Sequence, residues 1–149
     1  MKLDVIIDSG VEETEVKIVC KEKTPEIEKM VDLINSHIFS IIGKLDGESF
    51  ILSLNDIYYF EAVENKVFAY LETDVYEVNY KIADLVEMLS HTAFLQTSRT
   101  IILNLNKINK IKTMVNGRIM AELLNNEKMI ITRVYANSFR DKLKGGNHQ

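Results

Sequence analysis

The side chains best suited to recognise a partner stand where apolar runs of the sequence begin or end. Arg99 directly precedes the apolar run 101–103. The hydroxyl residues beside it are Thr97, Ser98 and Thr100. Arginine can donate two parallel hydrogen bonds to the edge of a guanine, and small hydroxyl residues can bind phosphate oxygens. This segment is therefore a candidate nucleic-acid contact, although a surface cation without a partner has the same sequence signature.

Two further sites have the same arrangement. Arg133 closes the strand-like run 129–132 and directly precedes the last predicted helix, and Asn65 and Lys66 occupy the tip of a predicted hairpin. A polar loop that is held by buried strands presents its side chains rigidly. Three such sites at the ends of elements favour a binding function over unrelated surface charges.

The charge of the chain changes sign along its length. Residues 1–43 carry five Lys and nine acidic residues, and residues 44–90 carry three Lys and ten acidic residues. Residues 91–149 carry ten Lys or Arg and only three acidic residues. The last segment is thus strongly basic within a chain whose net charge is −4. This asymmetry fits two alternatives, a polyanionic partner or neutralisation of the acidic neighbour.

Composition and length indicate one ordinary globular domain, with room for a small appendage. The chain has 149 residues, of which 46% are apolar and 27% are charged. No apolar run approaches the roughly 18–20 residues that cross a bilayer, and the N-terminus lacks a signal-peptide pattern. We therefore expect a cytoplasmic location. The single cysteine, Cys20, can form no disulfide within the chain, and we expect it to be a buried strand thiol rather than a redox sensor.

The common catalytic and cofactor motifs are absent from the sequence. It contains no Gly-rich phosphate loop, no zinc-ligand spacing and no nucleophile elbow. Acidic pairs such as Glu12 and Glu13 are better explained as solvated surface than as acid/base couples. We expect no enzymatic activity, no metal and no cofactor.

Residues 1–43 are predicted to form a separate strand-strand-helix arm. The runs 3–7 and 13–20 have strand character and are joined by a turn at Ser9-Gly10. Thr24 is a suitable helix N-cap and Pro25 suits the first helical position. The apolar stripe at helical spacing that follows consists of Ile27, Met30, Val31 and Ile34. A unit this small cannot bury its own apolar face, so we expect it to dock or to dimerise.

Residues 44–149 are predicted to form the second unit, and short strands separated by turns begin at about residue 38. Asp46-Gly47 and Asn116-Gly117 are hairpin signals, and Asn125-Asn126 is a further turn. Helices are predicted at 82–89 and at about 135–144, the latter ending at Gly145-Gly146. The pattern predicts a mainly β (α+β) fold, in which antiparallel strands greatly outnumber helices.

The second unit resembles the LytTR-type DNA-binding domain of bacterial transcription regulators. The resemblance rests on motifs in family order, from Leu54-Asn55-Asp56-Ile57-Tyr58-Tyr59 through Ser98-Arg99-Thr100, Leu103-Asn104 and Asn116-Gly117-Arg118 to Ile131-Thr132-Arg133. It covers about two thirds of the chain. The family implies an elongated arrangement of small antiparallel sheets whose loops, rather than a recognition helix, enter successive major grooves.

The resemblance also implies roles for individual residues. By position, the base-reading residues would be Asn65, Lys66, Arg99 and Arg133. Ser98, Thr100 and Thr132 would be near phosphates. Many members carry a cation where Gln96 stands and an imidazole where Ser98 stands, which implies fewer contacts or a different sequence preference here.

The resemblance predicts partners as well. The expected partner is double-stranded DNA, at promoters that carry imperfect direct repeats, and the expected assembly is a homodimer. Because 43 residues cannot form a receiver domain, the chain resembles the stand-alone members, which are often paired with a small inhibitory membrane protein. The alternative is a β-rich interaction adaptor whose basic face binds an acidic protein.

Overall fold

The computed structural model describes the backbone of residues 1–38 and 40–148 and the side chains of residues 1–35 and 40–144. The helices are Pro25–Ile38 (α1), Ile82–Met88 (α2) and Arg133–His148 (α3). The strands are Ile41–Leu45 (β1), Glu48–Leu52 (β2), Tyr59–Val63 (β3), Lys66–Tyr70 (β4), Val75–Val78 (β5), Phe94–Gln96 (β6), Ile101–Asn104 (β7), Ile108–Thr113 (β8), Ile119–Leu123 (β9) and Lys128–Ile131 (β10). None of these helices is both long and apolar enough to span a membrane.

The strands form two antiparallel sheets, which confirms the predicted mainly β fold class. The larger sheet has seven strands in the order β2-β1-β5-β4-β3-β7-β6, and the smaller has the order β10-β9-β8. Every strand pair in both sheets is antiparallel. Sequential strands are joined mostly by tight hairpins, because the turns of the sequence contain residues that tolerate a positive φ.

The predicted hairpin turns are confirmed by the backbone angles. Asp46 and Gly47 have φ values of 52° and 80°, and Asn116 and Gly117 have values of 64° and 76°. Two successive positive φ values match the right-handed twist of the flanking strands, which is why the Asp-Gly and Asn-Gly pairs mark these turns.

The larger sheet carries a hydrophobic cluster on each face, because adjacent residues of a strand point to opposite sides. Phe60 and Ile102 belong to the cluster that α2 covers through Leu85 and Leu89. The second cluster joins the sheet to β9, β10 and α3, and its fully buried members are Leu103, Ile119, Ala121, Leu123, Ile131 and Phe139. The smaller sheet and α3 are thus fixed to the larger sheet by a continuous core.

A tyrosine links the two sheets at their polar margin. The Tyr59 hydroxyl donates a hydrogen bond of 2.9 Å to Oε2 of Glu127, which lies between β9 and β10. Burial first, and then this bond to a carboxylate, raise the pKa of the Tyr59 hydroxyl far above its ordinary value. The Tyr59 ring also stacks on Tyr70 at 4.4 Å between centroids.

The arm differs from the prediction in its strands but not in its helix. Thr24 caps α1, since its Oγ1 accepts a bond of 3.3 Å from the Ile27 amide, and Pro25 is the first helical residue. The predicted strands 3–7 and 13–20 are not formed within this chain, because no described strand pairs with them. Cys20 is exposed, so the predicted burial of its thiol was wrong.

The ends of two elements also differ from the prediction. The strand predicted from residue 38 begins at Ile41, because α1 continues to Ile38, and Phe39 lies outside the described residues. The last helix begins two residues early, at Arg133, and continues past Gly145-Gly146 to His148. Glycine costs a helix only about 1 kcal/mol relative to alanine, so a glycine pair alone does not end it.

Asn104 is a buried polar residue and the last residue of β7. Its Nδ2 donates 2.9 Å to the Ile57 carbonyl, and its Oδ1 accepts 3.0 Å from the Asn106 amide. We expect Asn104→Ala to lower the free energy of unfolding by about 1–3 kcal/mol, because it leaves buried backbone groups unpaired. Urea denaturation measures this loss. Asn106→Ala, at an exposed neighbour, is the control, and equal midpoints for the two variants would refute the assignment.

Candidate nucleic-acid interface

The β3–β4 hairpin tip and the turn between β6 and β7 lie at the same end of the larger sheet. The last residues of β3 are adjacent to the first residues of β7, with Glu61 opposite Ile101. The pairing continues beyond the strand, since the Ala62 amide donates 2.8 Å to the Thr100 carbonyl. Asn65, in the turn after β3, and Lys66, the first residue of β4, are both exposed. The sheet therefore places the first two predicted contact segments side by side.

The turn at residues 97–100 is held by its own hydrogen bonds. Thr97 is 1% exposed, and its amide donates 3.0 Å to the Ile101 carbonyl. Ser98 Oγ accepts 3.3 Å from the Thr100 amide, and Gln96 Nε2 donates 3.4 Å to the Arg99 carbonyl. Gln96 thus stabilises the backbone of this turn. The Arg99 side chain remains exposed.

The third predicted segment is bound directly to this turn. The Thr97 carbonyl accepts two bonds from Thr132, one of 3.0 Å from its amide and one of 3.3 Å from its Oγ1. Arg133 follows as the first residue of α3 and is exposed. Two contacts to one buried carbonyl fix the spacing between the Arg99 turn and the start of α3.

A fourth segment, the β8–β9 hairpin tip, lies against Arg133. A Cβ atom added at Gly117 would be 3.1 Å from Cγ of Arg133. Asn116 and Arg118 flank this glycine and are exposed. The sequence identified this tip as a turn, but not as part of the site. The available signal was a cation directly after a hairpin turn, an arrangement that Arg118 shares with Lys66.

These four segments form what we call the loop edge. Its members are Asn65, Lys66, Ser98, Arg99, Thr100, Asn116, Gly117, Arg118, Thr132 and Arg133. All seven residues that the sequence predicts as contacts lie in these adjoining segments. Thr132 Oγ1 and Ser98 Oγ also form hydrogen bonds within the protein, so each helps to fix the conformation of the loop edge.

The cationic side chains of the loop edge differ in whether they form ion pairs. Lys66 Nζ is 3.4 Å from Oε1 of Glu77, and both side chains are largely exposed, so this pair is weak and exchangeable. Arg99, Arg118 and Arg133 form no ion pair with any other described residue. Three arginines at one edge therefore remain available to an external anion.

The described residues offer little for other chemistry. No group of three or more His, Cys, Asp or Glu side chains among them could hold a metal ion. The helices α1, α2 and α3 are separated from one another by strands, so the described chain has no helix-turn-helix. Recognition by this edge would rely on loops at the ends of sheets.

The class of protein to which this antiparallel fold belongs is that of a known DNA-binding domain. A family model described as "LytTr DNA-binding domain" matches residues 47–144, and the chain belongs to this LytTR family. The LytTR family is one of DNA-binding regulators and is not an enzyme class. Membership of this family indicates that the partner is double-stranded DNA.

Individual relatives agree with this assignment. The Sensory transduction protein LytT of Enterococcus faecalis is 28% identical over 101 residues, and the match covers 66% of this chain but only 42% of that protein. An uncharacterized HTH-type transcriptional regulator of Staphylococcus aureus is 22% identical over 147 residues, covering 96% and 98% of the two chains. A solved LytTr DNA-binding domain from Bacillus cereus has a TM-score of 0.66 at 22% identity and covers 70% of this chain and 97% of its own. This last similarity confirms the fold.

Proposed function

We propose that the chain is a sequence-specific transcription regulator whose loop edge reads bases in the major groove. The observation that carries the proposal is the convergence of Arg99, Arg118 and Arg133 at one edge, where none of them forms an ion pair with another described residue. Arginine is the side chain that most often reads guanine, through bidentate bonds to O6 and N7. We propose that Asn65, Lys66, Arg99 and Arg133 read bases, because all four are exposed at the loop edge.

Phosphate contacts complete the proposed interface. Ser98 and Thr100 flank Arg99, and Thr132 directly precedes Arg133, so we propose that these hydroxyl residues contact phosphates next to the bases that are read. The first turn of α3 contains Arg133 and no acidic residue. A cation there opposes the helix dipole, and a bound phosphate would relieve that cost. The arrangement thus favours an anion at this helix start.

We further propose that the regulator acts as a homodimer on imperfect direct repeats. One loop edge offers few base contacts, and a second copy bound to a second repeat multiplies the affinity through effective concentration. On the family resemblance alone, we also propose that a small membrane protein restrains it.

A competition experiment tests sequence-specific binding. We expect DNA from upstream of the protein's own gene to be bound at least about 10³-fold more tightly than unrelated DNA at physiological salt, because base contacts add to the phosphate term. We also expect log affinity to fall with log salt by about 0.9 for each phosphate neutralised. Labelled upstream DNA is titrated and then competed with unlabelled duplexes. Equal competition by unrelated DNA would contradict the proposal.

One observation favours a second candidate, an adaptor that binds an acidic protein. Lys110, Lys112 and Lys128 line a shallow pocket of about 350 Å³ on the outer face of the smaller sheet, together with Glu122. Lys110 is partly neutralised by Glu122 at 3.3 Å, which reduces the charge of this face. Tight binding to an acidic protein that upstream DNA fails to displace would favour the adaptor.

A further inference from the structure

The first 23 residues expose an unusual amount of apolar surface. Leu3, Val5 and Ile7 are 89%, 81% and 95% exposed, and Val16 and Val19 are 59% and 88% exposed. Single exposed aliphatic residues are ordinary on a protein surface, but a run of them on a short segment marks an interaction site. The arm therefore has exposed apolar side chains that no other described residue covers.

The backbone of this segment also lacks partners. Among the described residues of the segment, the backbone–backbone hydrogen bond found is the turn from the Val11 amide to the Asp8 carbonyl, at 3.2 Å. Two ion pairs join residues that are two apart, Lys2 with Asp4 and Lys17 with Glu15. Residues two apart share a face in an extended chain, so both ion pairs are compatible with an extended backbone.

The charges around Val16, in the run 13–20, would complement those of a second copy of the same run. If two copies align antiparallel about Val16, each Glu15 lies opposite Lys17 of the other copy, and Val16 lies opposite its own counterpart. Thr14 lies opposite Ile18 in the same register. Opposite charges that face each other across strands stabilise a pair, whereas like charges destabilise it. A two-fold interface needs this kind of self-complementarity.

We infer that residues 13–19 pair with the same residues of a second copy, in an antiparallel β-ladder centred on Val16, and that this ladder holds the dimer together. The occupant of the exposed arm is thus another copy of this chain. The ladder supplies the backbone partners that the single chain lacks. This inference rests on the proposed dimer and is independent of DNA, so it is tested without DNA present.

Charge reversal tests the register. Glu15→Lys and Lys17→Glu each replace two attractive cross-strand pairs with two repulsive ones, so each variant alone should dimerise between roughly fourfold and several-hundredfold more weakly than wild type. Mixing the two variants should restore wild-type association, because every charge then faces its opposite. Sedimentation equilibrium measures the dissociation constants. Wild-type association of either variant alone, or a mixture no tighter than its components, would overturn the register.

A cysteine experiment gives an independent readout. In the variant Val16→Cys with Cys20→Ser, the two thiols face each other and should form a disulfide-linked dimer under mild oxidation. The matched control is Val19→Cys with Cys20→Ser, in which the proposed register separates the two thiols by roughly 20 Å. Crosslinking of the control to the same extent as the test variant would also contradict the ladder. These positions are exposed in the arm, outside both hydrophobic clusters, so the DNA-binding domain should stay folded.

Discussion

Arg99→Ala and Arg133→Ala are each expected to weaken binding to the upstream DNA by about 1–3 kcal/mol, or roughly fivefold to 150-fold. Each removes a guanidinium that has no ion-pair partner among the described residues and that we propose to bind a guanine edge. Binding to unrelated DNA should change much less, because only one cation is lost from the sequence-independent attraction. Titrations on both duplexes measure the two effects.

Two control variants separate base reading from simple charge. Lys128→Ala removes one cation from the other end of β10, away from Thr132, and should reduce binding to both duplexes about equally. Arg99→Lys keeps the charge but loses the planar fork, so it should lose most of the specific affinity that Arg99→Ala loses. If Arg99→Lys binds like wild type, Arg99 acts as a charge and not as a reader of bases.

Phe139→Ala is expected to lower the free energy of unfolding by about 3–5 kcal/mol, the largest stability effect among the changes considered. Phe139 is fully buried in the cluster that joins α3 to the smaller sheet and to Leu103. Since α3 also begins at Arg133, loosening this helix should reduce specific DNA binding as well. Urea denaturation followed by circular dichroism measures the stability.

The matched control lies next to it on the same helix. Ser138 is exposed, so Ser138→Ala should change stability by less than about 0.5 kcal/mol. If Phe139→Ala unfolds at the same urea concentration as Ser138→Ala, then α3 does not contribute to the core as described.

Much of the fold was predictable because its turns have strong local chemistry. Asp46-Gly47 and Asn116-Gly117 require positive φ values, and both occur where the sequence places hairpins. Thr24 and Pro25 likewise mark the start of α1. Such signals depend on residues close together in the sequence, so they can be recognised without knowledge of the rest of the fold.

The errors occurred where the outcome depends on distant partners. The runs 3–7 and 13–20 have strand patterns, but a strand needs a neighbour, and none of the described strands of the same chain provides one. The predicted burial of Cys20 was wrong for the same reason. The helix end predicted at Gly145-Gly146 was wrong, because the cost of glycine in a helix is small enough to be tolerated.

The candidate site was predictable residue by residue but not as an assembly. The residue types of Arg99 and Arg133 indicated binding, whereas their proximity depends on the two bonds from Thr132 to the Thr97 carbonyl. Those atoms are 35 residues apart in sequence. A cation directly after a hairpin turn marks Arg118 as a candidate, but its place at the same edge depends on how the β8–β9 hairpin packs on α3.

The most direct test of base reading by the loop edge is a double-mutant cycle between Arg99 and a guanine in the bound site. Replacing that guanine with 7-deazaguanine removes the N7 acceptor and leaves the base pair intact. We predict that the replacement weakens wild-type binding but has little further effect on Arg99→Ala, giving a coupling energy of at least about 1 kcal/mol for one guanine in the site. Losses that simply add at every guanine tested would contradict major-groove reading by Arg99.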